Sequence, residues 1–328
     1  MMSLLQPLLF LFLVLLYAAP FVHAQSWTPQ KNVEIVVPSA PGGTNDKLAR
    51  QIERTLPAAK LINSTLAVVH KAGAGGQLAY NYLATHAGDA HYLLISAPTL
   101  LAGHITGTSK LNYTDFTPLA TIFNDHMVFA VNAGNALTSG KAFAAKLRKD
   151  AQAMPFGFTS ALGNHHHIAA GLFMKAIGAG IRDLKPVVFK GSAEAVTSLL
   201  GNHIEFVSTG AANAAAHAAA GKLRILGVSA PQRLPGQMAN VPTWKEQGID
   251  LVYGSWRAII APKGVAPEQA AFWENALRRV NETAEWKAEM ERYYWTDFFV
   301  TGAALRRNLE KEYAETRAVL GELGLTRQ

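Results

Sequence analysis

At 328 residues the chain has room for two domains of ordinary size and for a core that needs no covalent staple. Hydrophobic residues make up 49% and charged residues 16%, which excludes a mainly disordered chain, and the absence of cysteine excludes disulfide scaffolds, thiolate zinc sites, thiol nucleophiles and a lipid-modified N-terminal cysteine. A formal charge of +7 suggests anionic partners without choosing among nucleic acid, anionic lipid and acidic metabolites.

The first two dozen residues carry no Lys, Arg, Asp or Glu and run to small residues, with an apolar stretch at Leu8–Ala19. This reads as a secretory signal peptide cleaved after Ala24, with Val22 and Ala24 at the −3 and −1 positions. Pro20 breaks the run short of the ~20 residues a membrane span needs. The mature chain then opens on a β-branched strand, Val33–Val37, a loop at Pro38–Gly43, and a helical stripe of Leu48, Ile52 and Leu56 closed by Pro57. The unit repeats as strand Leu66–His70, loop Lys71–Gly76 and a helix bearing Leu78, Tyr82 and Leu83, then strand Tyr92–Ser96. Met127–Val131, Pro155–Phe158, Val187–Phe189, Ile204–Val207 and Leu223–Val228 follow as short strands between Ala-rich helices. Trp256–Ala261 is one more strand, and Pro267–Met290 and Gly302–Leu323 are long amphipathic helices. The expected class is α/β, with largely parallel sheets, helices on both faces, and two units joined by strands that cross between them.

Two loops invite a ligand. Pro41-Gly42-Gly43-Thr44-Asn45-Asp46 sits where a strand turns into a helix, so backbone N–H groups and the positive end of the helix could hold a carboxylate or phosphate; a tight turn capped by Thr44 or Asn45 is the plainer alternative. Lys71–Gly76, ending in Ala74-Gly75-Gly76, repeats the arrangement one unit later. Neither loop is G-x-G-x-x-G or ends in the Lys-Ser/Thr of a P-loop, which disfavours nucleotides. His165-His166-His167, preceded by Ser160 and Asn164, lies at another loop-to-helix junction. Consecutive helical residues splay by about 100°, so a metal site is disfavoured against a ligand-contacting loop or a solvated face. No G-x-S-x-G, H-E-x-x-H or S-x-x-K element points to catalysis, and the basic residues of the last helices are interspersed with acids rather than clustered for nucleic acid.

Six segments, in order, resemble the periplasmic solute-binding proteins of tripartite tricarboxylate transporters, the Bug family. Pro41 to Arg50 fits the family's P-G-G-x-x-D-x-x-A-R, His70–Gly76 its N-R/K-x-G-A-G-G, and Ser160–Ala169 its S-G-x-G-S-x-x-H-L-A; Phe189-Lys190-Gly191-Ser192 and Asn240–Thr243 follow, with Ser255-Trp256 as the late strand. The resemblance implies a two-lobed, type II flytrap fold with residues 25–126 and 255–328 in one lobe and 127–254 in the other. It implies a ligand carboxylate held by backbone amides and waters of the Pro41–Asp46 and Lys71–Gly76 loops, with no arginine clamp, and contacts from Ser160, Asn164, His165, His167, Lys190, Gly191, Ser192 and Ala193 across the cleft. The chain departs from the family at Asn164, His165, His166 and Ser208-Thr209-Gly210, where Phe-Asp-Asn is frequent.

The expected function is capture of a small organic carboxylate in the periplasm by a monomer and its delivery to membrane permease subunits, with no cofactor, metal or nucleic acid. Thr209 in place of an acid disfavours an amino-acid ligand, whose ammonium would be left unpaired, and favours an amine-free dicarboxylate, an aromatic one included. Ser208 is expected to leave extra room, while Asn164, His165 and His166 could hydrogen-bond a second, distal carboxylate, His165 or His166 in charged form, or flank a flat ring. A secreted hydrolase or transferase using the histidine run as base, and an accessory presenting ligand to a sensor, are the competing readings.

Overall fold

The computed structural model describes residues 27–159 and 161–327; the signal-peptide segment and Ser160 lie outside the described residues. The first half alternates β1 (Val33–Val37), α1 (Thr44–Ala58), β2 (Leu66–His70), α2 (Gln77–Ala84), β3 (Tyr92–Ser96) and α3 (Thr99–Ile105). Its strands run parallel in the order β2-β1-β3. Val33, Ile35, Val36 and Val37 are completely buried, as expected of a strand covered on both faces.

β4 (Phe116–Asn132) ties the molecule together. Its first part pairs antiparallel with β9 (Gly254–Pro262) as far as His126 opposite Gly254, and with β10 (Thr296–Thr301). From Met127 onward it pairs instead with β7 (Phe206–Gly210) and β8 (Leu223–Val228). The second sheet is completed by β5 (Pro155–Thr159), parallel to β7 and to β6 (Lys185–Phe189). Between these strands lie α4 (Gly140–Lys149), α5 (His165–Ala176), α6 (Ser192–Leu200) and α7 (Ala211–Ala219). α8 (Pro267–Glu282), α9 (Ala284–Arg292) and α10 (Gly302–Glu322) close the chain.

Each sheet carries its own aromatic core. Phe123, Trp273, Trp286 and Trp295 fill one, with Phe123 stacked on Trp295 at 4.0 Å; Phe129, Phe143, Phe156, Phe173, Phe206 and Trp244 fill the other. A third cluster joins them, because Leu305, Leu309, Val319 and Leu320 of α10 pack on both Leu101 of α3 and Ile168 of α5. The chain thus folds as two α/β lobes, each around its own sheet and core.

The sheets are mixed rather than largely parallel, since β4, β8, β9 and β10 all pair antiparallel. The front of β4 and all of β10 escape a reading by pattern. Pro118 and the Asn124-Asp125 pair look like turn signals, but register shifts beside Pro118 and Thr121 absorb the irregularity. The expected helix Pro267–Met290 is two helices, broken at Thr283, whose extended backbone (φ −68°, ψ 150°) lets its hydroxyl cap the Trp286 N–H.

Candidate functional site

The loop after β2 and the loop before α5 face one another across a cleft between the lobes, and the helix that follows the loop after β1 reaches the second sheet through Thr44, whose hydroxyl donates to Asp125 beneath Gly210. A cavity of about 340 Å³ is lined by Ala74, Gly75 and Gln77 from one side and by Ala161, Leu162 and Asn164 from the other.

In the first loop Gly42 takes φ +87°, a conformation that favours glycine, and its N–H donates to Asp46 Oδ2 at 2.9 Å. Gly43 is the α1 N-cap, extended at φ −82° and ψ 178°, and no side chain caps the helix. A Cβ built on Gly43 would meet nothing within 4 Å, so the uncapped turn opens onto free space. Asp46, although grouped with the candidate ligand contacts, has both oxygens engaged by the protein: Oδ1 accepts from His70 Nε2 at 2.8 Å and Arg50 Nε at 3.0 Å. Burial pushes its carboxyl upward, but the bonds from Gly42, His70 and Arg50 prevail and hold the pKa below the ordinary value. We assign Asp46 to shaping the loop. In the second loop Gly73, Ala74, Gly75 and Gly76 all have positive φ, from 47° to 136°.

The facing histidines divide into separate roles. Asn164 caps α5: its Oδ1 accepts from the His166 and His167 N–H groups at 3.0 and 3.1 Å, and its Nδ2 donates to the Thr159 carbonyl. That leaves little for a distal carboxylate. Asn164→Ala is therefore expected to cost about 1 kcal/mol of stability in urea titrations while changing ligand affinity less than threefold; a tenfold affinity loss at unchanged stability would put the amide on the ligand instead. His167 stacks on Phe158 at 5.4 Å, and its Nδ1 accepts from the Gly163 N–H at 3.1 Å, which makes it part of its lobe's interior. His166 is buried against Ser208, with Nδ1 at 3.5 Å from Oγ, so its ring fills the room expected from Ser208. His165 is half-buried, and its Nδ1 has no partner.

Burial drives the pKa of His166 down to about 3 and that of His167 to about 4, and His165 lies well below its ordinary value. A nearby guanidinium adds to the effect on His165 and His166. These rings are neutral at physiological pH, so the expected charged contact to a second carboxylate is corrected: they can offer only a neutral N–H. On the far side, Lys190 and Ala193 are exposed at the start of α6, and Gly191 caps that helix without a side-chain bond. Ser192 Oγ and Thr209 Oγ1 both lie near Asn213 Nδ2, at 3.5 and 3.4 Å.

Two buried charged residues against the first turn of α1 were missed. Arg257 on β9 is 5% exposed. Its Nε donates to Asn45 Oδ1 at 2.7 Å, and its Nη1 donates to Ser255 Oγ at 2.7 Å and to the Ser255 and Trp256 carbonyls. Asp125, where β4 passes between the sheets, is equally buried; Thr44 Oγ1 donates to its Oδ2 at 3.4 Å, and Oδ1 has no partner. A Cβ on Gly210 would stand 2.9 Å from this carboxylate, so only glycine allows the approach. Burial raises the Asp125 pKa to about 6, against the pull of Arg257, Thr44 and Lys47. The signal for both was a lone charge inside an otherwise apolar strand, which a buried strand rarely carries without purpose.

Among the described residues no cluster of histidines and acids could hold a metal ion, and no helix is long and apolar enough to cross a membrane. Ser208 beside His166 joins two buried groups with a base far too weak for neutral pH. What the cleft offers is backbone N–H groups, neutral imidazoles and one guanidinium, a set suited to binding an anion.

The model of the TctC family, "Tripartite tricarboxylate transporter family receptor", matches residues 48–324. Protein BugT of Bordetella pertussis is 30% identical over 84% of this chain and 82% of its own length. A TctC solute-binding protein from Polaromonas, solved without ligand, is 27% identical, with a TM-score of 0.72 over 90% of this chain and 99% of that one. The structure of R. palustris Rpa4515 with adipate shares the fold at a TM-score of 0.80 and 23% identity, covering 91% of this chain and 99% of that one. The chain belongs to the TctC family of tripartite tricarboxylate transporter receptors, the Bug proteins, which are solute-binding receptors and not enzymes.

Proposed function

We propose that the protein captures a small, amine-free dicarboxylate, aliphatic or aromatic, in the periplasm and hands it to the membrane subunits of a tripartite tricarboxylate transporter. The observation that carries the reading is the uncapped N-terminus of α1, with open space at Gly43 and with Thr44 of its first turn donating to Asp125, which packs under Gly210 of the second sheet. The absence of an amine follows from the charges around the site. Arg257 and Lys47 flank the lone carboxylate of Asp125, and the position of the family's frequent acid is held by Thr209, so an ammonium group would enter a field already positive. The adipate held by a neighbour of the same fold supports a linear dicarboxylate as one member of the class.

The pairing switch of β4 between His126 and Met127, and its return at Gly254, support lobes of residues 25–126 with 255–328 and of 127–254. Export by the N-terminal apolar segment and action as a monomer complete the reading. Thermal-shift screening tests it. Adipate, malate or terephthalate is expected to raise the melting temperature of the purified protein, whereas glutamate, aspartate and glucose leave it unchanged. Stabilisation by glutamate or aspartate above every amine-free dicarboxylate would overturn the ligand class, and stabilisation by glucose alone would overturn the carboxylate reading.

A further inference from the structure

Arg257 is a buried cation that its hydrogen bonds orient and that feels the charge of Asp125 without forming an ion pair with it. Each of its bonds goes to a neutral acceptor: the Asn45 amide, the Ser255 hydroxyl and two β9 carbonyls. No described residue forms an ion pair with it, and Nη2 is engaged by none of them. Its position is fixed within the first lobe, and its charge is felt in the second. The Nε bond ties it to Asn45 in the first turn of α1, while its charge depresses His165 and His166 on the opposite loop.

Burying a guanidinium with no ion-pair partner is costly, whereas an anion delivered to it in a water-poor cleft gains a charge-assisted pair that the planar fork can make bidentate. That asymmetry separates the two states. The unpaired charge burdens the empty protein and is satisfied only when an anion arrives. Asp125 does not perform this service, because it makes no ion pair with the guanidinium and packs instead under Gly210 with Thr44 as its partner.

We propose that Arg257 is a ligand-binding residue of this receptor, pairing directly with the carboxylate that sits at the α1 N-terminus, so that the anion is held by a guanidinium together with the helix amides rather than by amides and waters alone. The inference rests on the carboxylate-receptor reading above and deepens it. It requires ligands with a full negative charge at that end. The corresponding primary amide keeps the shape but loses the pair.

The test is calorimetric titration of adipate and terephthalate into wild type, Arg257→Gln and Arg257→Lys, with thermal melts of each ligand-free protein. Arg257→Gln is expected to bind at least 100-fold more weakly, in line with removal of one partner from a buried charge pair, while its ligand-free melting temperature stays level or rises. Arg257→Lys keeps the charge but not the fork and is expected to lose about tenfold. Binding by the Gln variant within threefold of wild type overturns the proposal and leaves the receptor reading intact. Should the Gln variant not fold, the Lys variant decides: a loss of fivefold or more supports direct pairing, and unchanged affinity overturns it. If wild type binds neither dicarboxylate but responds to another anion in the screen, that anion replaces them in the same comparison, whereas a wild type that answers to no anion sinks the receptor reading itself.

Discussion

Acidifying the ligand-free protein from pH 7.5 to 4.5 is expected to destabilise wild type by about 2.7 kcal/mol more than it destabilises a His166→Gln variant. The imidazole of His166 is buried, and its folded-state pKa of about 3 lies far below the ordinary value of 6.5. A group with a depressed folded pKa binds fewer protons folded than unfolded, so the stability it contributes is complete above 6.5 and is lost as pH falls toward 3. Two pH units below 6.5, at about 1.36 kcal/mol per unit, give the figure. Asp125 works in the opposite sense: its raised pKa of about 6 means that ionising it costs stability as pH rises from the ordinary carboxylate range through 6. The total acid response of wild type is a balance of such terms, and only the comparison with the variant isolates His166. Urea titrations of both proteins at pH 7.5, 6 and 4.5 measure it; parallel stability curves would mean that the ring is hydrated and free to protonate in the native state.

The same histidines show where sequence reading stops. Their position at a loop-to-helix junction was legible, because Gly163 and Asn164 are a turn residue and a helix cap. Which of the three rings enters the cleft was not, since that depends on Phe158 offering His167 a stacking partner and Ser208 leaving space for His166, contacts from strands remote in sequence. The parallel β-α units were legible for a related reason: each is local, with one apolar strand, one loop and one helix. The antiparallel pairs that join the lobes are non-local, and β4 carries turn-like residues because it changes partners there. Arg257 and Asp125 stand at that change of partners. A single charge in an apolar strand is visible in any sequence, yet its meaning depends on the second strand and the second lobe that enclose it.

Gly43→Val is expected to weaken dicarboxylate binding about 100-fold while lowering stability by no more than about 1 kcal/mol. The backbone at Gly43 is extended, a region that β-branched residues adopt freely, and an added side chain would meet no protein atom within 4 Å. The residual cost is the poorer N-cap. The isopropyl group would instead occupy the open approach to the first N–H groups of α1, where the carboxylate is proposed to sit, so the loss falls on binding. Gly75 does not offer the same test, although its loop repeats the arrangement: at φ +64° a β-branched residue is strained whatever the space around it, and folding and binding would suffer together. The contrast between the two positions is therefore itself a measurement. Calorimetry with urea titration on both variants should show binding and stability separated at Gly43 and coupled at Gly75. Wild-type affinity in Gly43→Val would move the carboxylate away from the α1 N-terminus.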